Sequence, residues 1–95
     1  MPAATRLGDL CSGHGPFPPR PIIAGSGDVL INGRPAGRQG DAYGVHCSPK
    51  KCHAGNAATG SSSVLINGMP AVRIGDAVSC GSVSAQGSSN VFIGG

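Results

Sequence analysis

One unit, written three times along 95 residues, limits what this chain can fold into more than any single motif does. Each copy holds an Arg-x-Gly-Asp turn, a loop containing His or Cys, and a Gly-Ser segment that runs into a Val-x-Ile-x-Gly strand. The turns are Arg6-Leu7-Gly8-Asp9, Arg38-Gln39-Gly40-Asp41 and Arg73-Ile74-Gly75-Asp76, with their Asp residues 32 and then 35 positions apart. The strand ends span 25–33, 60–68 and 87–95, nine residues each. Ends of constant length joined by loops of drifting length mark a repeat architecture, in which each copy buries itself against its neighbours.

Seventeen Gly and eight Pro argue against helices, since interior Gly costs about 1 kcal/mol and Pro about 3 kcal/mol relative to Ala. With no Trp, one Tyr and two Phe, the chain has few large side chains from which to build a core. The expectation is one small all-β domain over residues 1–95, made of three repeats of short strands and tight turns. A formal charge of +3 rests on scattered basic residues with little aromatic surface, which excludes nucleic-acid binding as the leading reading. No apolar run reaches the roughly 20 residues of a membrane span. The N-terminus carries no basic and apolar blocks of a signal peptide.

Alternation along each strand predicts a core of Val29, Ile31, Val64, Ile66, Val91 and Ile93. Leu30, Leu65 and Phe92 then point the other way and form an apolar triangle around a pseudo-threefold axis. In a domain this small, strands buried on both faces are an equal possibility. Asn32-Gly33 and Asn67-Gly68 predict two-residue hairpin turns. The strands that follow, 34–38 and 69–73, contain Pro and belong at an edge. Residues 1–6 supply the same element at the N-terminus, so the chain opens and closes in mid-unit, as a cyclic arrangement requires.

The chemistry follows the turns: His14 and His46 each lie five residues beyond their Asp, and Cys80 four beyond its own. Equivalent loops therefore present metal-ligand types in register. The longest loop adds His53, and three imidazoles with one thiolate suit tetrahedral Zn²⁺, with bonds of about 2.0–2.1 Å to nitrogen and about 2.3 Å to sulfur. Such a site ties all repeats together and supplies folding energy that the thin core lacks. The plainer alternative makes the histidines surface groups and the cysteines small hydrophobes or disulfide partners. Cys47 or Cys52 could replace a histidine ligand or bridge to each other, although the expected default is reduced thiols. Cys11 has no assigned role. The Arg and Asp of each turn read as fold supports, with Asp in an Asx-turn and Arg reaching across the repeat boundary.

Pro35-Ala36-Gly37-Arg38 and Pro70-Ala71-Val72-Arg73 resemble the Pro-Ala-Ala-Arg signature of the PAAR-repeat proteins, and residues 1–6 resemble it with one residue inserted. The resemblance extends through the Val-Leu-Ile-Asn-Gly strands. It implies a pointed cone of short strands that caps and sharpens the blunt end of a trimeric valine-glycine-repeat (VgrG-type) spike of a type VI secretion system. It also implies one structural zinc near the apex, held by three His and one Cys, which carries over to His14, His46, His53 and Cys80. Leu30, Leu65 and Phe92 would meet the spike at the base, one monomer per trimer. Further implications are assembly in the bacterial cytoplasm, delivery through a target membrane on firing, and effector proteins as further partners of a stand-alone tip. The same resemblance admits a phage or prophage tail tip. Rival classes are a zinc hydrolase, for which the chain shows no Glu and no general base near the ligands, and a disulfide-stapled binding module.

Overall fold

The computed structural model describes residues 1–95 and consists of strands and turns without a helix. Its strands, in chain order, are β1 (Leu30–Ile31), β2 (Arg34–Pro35), β3 (Ala42–Cys47), β4 (Cys52–Asn56), β5 (Leu65–Ile66) and β6 (Met69–Pro70). They pair as three antiparallel hairpins, β1 with β2, β3 with β4, and β5 with β6. The Asn-Gly turns form as expected: Asn32 and Asn67 take φ of 53° and 56°, and the following glycines 78°. That double left-handed geometry matches the strand twist and leaves the register no freedom. The chain ends build the missing counterpart, with Ala3 bridging Phe92. There the Ala4 N–H donates to Val91 as Ala36 does to Val29 and Ala71 to Val64.

Backbone hydrogen bonds close the repeats into rings. Thr5 N–H donates to the Val72 carbonyl, Val72 to Gly37 and Gly37 back to Thr5, at 3.0, 3.0 and 2.9 Å. A second ring runs Leu7 to Pro35, Gln39 to Pro70 and Ile74 to Ala3. These rings place Ala3 in register with Pro35 and Pro70, so the N-terminal signature has no inserted residue. Ala3 itself holds the proline position, and Pro2 lies one residue outside it. Gly25, Gly60 and Gly87 open the three strand ends for a steric reason: a Cβ there would come within 2.9, 2.7 and 2.7 Å of Pro35 Cβ, the Ala71 carbonyl and the Ala4 carbonyl.

Two clusters stack along an elongated body of 38 × 23 × 23 Å. At the base, Ala4, Ala36 and Ala71 alternate with Ile31, Ile66 and Ile93. Above it lie Cys11, Ile22, Tyr43, Ala57, Val72 and Val78. Of the six expected core residues only the isoleucines are buried; Val91 packs partly, and Val29 and Val64 are exposed. The physical cause is strand length, because a two-residue ladder brings one side chain to the axis and leaves the preceding valine outside it. Leu30, Leu65 and Phe92 are 59%, 60% and 50% exposed, which decides against strands buried on both faces.

Each Arg-x-Gly-Asp turn is stapled internally. In the first, Arg6 donates from Nε and Nη2 to the two carboxylate oxygens of Asp9 at 3.0 and 3.2 Å, and Asp9 also accepts the Arg6 backbone N–H. Arg38 with Asp41 and Arg73 with Asp76 repeat the pattern. The carboxylates are buried, and such forked charge-assisted bonds are about twice as strong as neutral ones. The expected Asx-turn is replaced by this backward contact. The remaining guanidinium nitrogens reach Asn32, Asn67 and the Gly94 carbonyl in the strand-end turns, linking turn to base.

Candidate metal centre

The longest loop is not irregular. It is the β3–β4 hairpin, whose register sets His46 opposite His53 and Cys47 opposite Cys52. A signal for it stands in the sequence, since His46-Cys47-Ser48-Pro49-Lys50-Lys51-Cys52-His53 is a near palindrome about a Pro-containing turn. Directly opposed residues of an antiparallel pair have their side chains about 5 Å apart, so the mirror image brings like groups together. Cys47 and Cys52 are joined as a disulfide. This corrects the expected reduced thiols and removes both residues as substitutes for a histidine ligand. The free cysteines are Cys11, buried in the upper core cluster, and Cys80.

His53 Nε2 lies 2.7 Å from His46 Nε2 and 3.1 Å from His14 Nε2. Together with Cys80 Sγ, the donor atoms of His14, His46 and His53 all fall within 4.8 Å of one another. The structure thus brings together all four residues singled out as metal ligands, one from each of two loops and a pair from the hairpin. Loop 10–22 delivers His14 through a tight turn in which His14 and Phe17 exchange backbone hydrogen bonds at 3.0 and 2.8 Å. The loop after Asp76 delivers Cys80, and it lies against β4 only because position 55 is glycine. A Cβ on Gly55 would sit 2.9 Å from Cys80 Cβ and Sγ and from Val78 Cγ1.

The converging donor atoms suit a shared cation. His46 is 1% exposed, and its Nδ1 faces the Pro18 carbonyl at 2.9 Å, which makes Nδ1 the protonated nitrogen and turns the Nε2 lone pair toward the other imidazoles. Lone pairs converging at about 3 Å repel unless a proton or metal lies between them. Two nitrogens of a tetrahedral zinc are about 3.3 Å apart by the usual bond lengths. His53 is held below the ordinary histidine value of 6.5 by desolvation and by His46, His14 and Lys51. The neutral, ligating form is therefore the favoured one. No carboxylate enters the cluster: Asp9, Asp41 and Asp76 are bound by Arg, and Asp28 by Asn67 and Ser26. The centre can hold an ion but offers no general base beside it.

Sequence reasoning passed over Phe17, Gly55 and the backbone carbonyl of Pro18, a residue it read, with Pro16, Pro19 and Pro21, only as stiffening the first loop. Phe17 could have been noticed as one of only two Phe residues, set between prolines next to His14. The Pro18 carbonyl has no sequence signal, because any residue carries one.

No curated protein matches the chain in comparison. The profile of the PAAR motif matches residues 12–84. With the closed ring of repeats and the three loops meeting at one His and Cys cluster, that match shows that the chain belongs to the PAAR-motif family.

Proposed function

We propose that this protein is the tip of a type VI secretion spike, seated by its base on the blunt end of a trimeric VgrG-type protein and clamped at its apex by zinc. PAAR-repeat proteins are generally associated with such spikes and are structural rather than enzymatic. The observation that carries the reading is the base, where Leu30, Leu65 and Phe92 stand exposed at equivalent positions of the three repeats. A single chain with that symmetry offers the same apolar group to each of three identical subunits. Zinc follows from the donor set, since three imidazoles and a thiolate fill a tetrahedral shell and leave no open position for catalysis. Assembly takes place in the cytoplasm, and firing carries the tip through a target membrane; effectors ride on the flanks of the cone.

Leu30→Asp combined with Leu65→Asp tests the reading by co-purification with the spike trimer. Each buried Leu contributes about 1.5–3 kcal/mol, so the pair should weaken docking by roughly a hundredfold or more. Elemental mass spectrometry should still find one zinc per chain. Docking that survives the double substitution would refute the base as the interface.

A further inference from the structure

Phe17 touches every imidazole of the cluster and ligates nothing. Its ring centroid lies 5.0 Å from His14, 5.0 Å from His46 and 4.1 Å from His53, stacked on the last with 17° between planes. It is 8% exposed, although His14, His53 and Cys80 are only half-buried. The two backbone hydrogen bonds between His14 and Phe17 fix it beside the first ligand, and the following residue supplies the carbonyl that orients His46. One short segment thus provides a ligand, an apolar cover and an orienting acceptor.

We propose that Phe17 is the shield that sets how long the metal stays. Ligand exchange at a four-coordinate zinc needs an incoming water or chelator to approach the ion as a bond to protein loosens. An aromatic face packed on three imidazoles blocks that approach from its side and stops the rings from rotating away. Phe17 is therefore a positioning residue, and its effect falls mainly on release rate and coordination number. This inference rests on the metal reading above.

The test is transfer of zinc from the loaded protein to a chromophoric chelator in excess, followed for wild type, Phe17→Ala, Phe17→Leu and Phe17→Tyr. Release from Phe17→Ala should be about 10- to 100-fold faster, the range in which residues behind metal ligands act. Phe17→Tyr, which keeps the ring, should stay near wild type, and Phe17→Leu should fall between. Cobalt(II)-loaded Phe17→Ala should show weaker visible absorption, as a water enters and coordination rises above four, a change that a purely structural loss of packing does not produce. Equal release rates for wild type and Phe17→Leu would overturn the proposal, even if Phe17→Ala fails to fold. A wild type that binds neither zinc nor cobalt would refute the metal reading instead.

Discussion

Among single residues, His53 shows how the site selects its own protonation state. Desolvation first, and the neighbouring His46, His14 and Lys51 second, depress its pKa in the fold below the ordinary 6.5. The folded chain therefore binds fewer protons than the unfolded one below that value, and stability falls as pH drops through it. Metal-free protein should melt at a constant temperature above about pH 7 and at progressively lower temperature toward about pH 5. His53→Gln should flatten that acid limb, as thermal melts followed by circular dichroism will show. The register of His14, His46 and Cys80 with their turns made three members of the cluster legible. His53 was legible only as a nearby donor, because its place depends on a hairpin that turns the chain back on itself.

At the level of elements, hairpins and close approaches decide which loops can meet. Asn-Gly turns were readable because their chemistry is local. The β3–β4 hairpin was missed, because its turn carries Pro rather than Asn-Gly, although a Cys47–Cys52 bridge stood among the alternatives. Gly55 is the element's weakest point for substitution. Gly55→Ala would put a methyl 2.9 Å from Cys80 Sγ and Val78 Cγ1, so the Cys80 loop must move away from β4. Overpacking of this kind costs about 1–3 kcal/mol. Melting should drop accordingly and metal content should fall with it, whereas a variant that melts lower with full metal content would detach Cys80 from the site.

Across the whole molecule, the hydrophobic core is thin. Three of the six residues in the base cluster are Ala, and the upper cluster is no larger. Structural zinc contributes on the order of 10 kcal/mol or more of apparent binding energy in small domains. His14→Ala and Cys80→Ala should each lose the metal and several kcal/mol of stability, about 4–8 °C in melting temperature per kcal/mol for a domain of this size. Both quantities are read by melting and elemental mass spectrometry, and unchanged values in both variants would sink the ligand set. The denatured, metal-free, unreduced chain should titrate two thiols, Cys11 and Cys80. Charge is also sorted at this scale. Arg6, Arg34, Arg38 and Arg73 pair with Asp9, Asp41 and Asp76, leaving Arg20, Lys50 and Lys51 in the loops that carry the histidines.

The sequence by itself determined the repeat, the Asn-Gly hairpins and the donor types of the site, whereas the structure decided that Leu30, Leu65 and Phe92 face outward and that Arg staples Asp within each turn. The first three rest on local chemistry or on short periods, which a linear chain displays openly. Only the tertiary structure decided that Ala3 stands in the proline register, that Val29 and Val64 lie outside the core, that Cys47 meets Cys52, and that Phe17 covers the imidazoles. Each of those depends on ring closure between residues far apart in the chain. Their positions are set by hydrogen bonds such as Thr5 to Val72 to Gly37, which no stretch of sequence contains by itself.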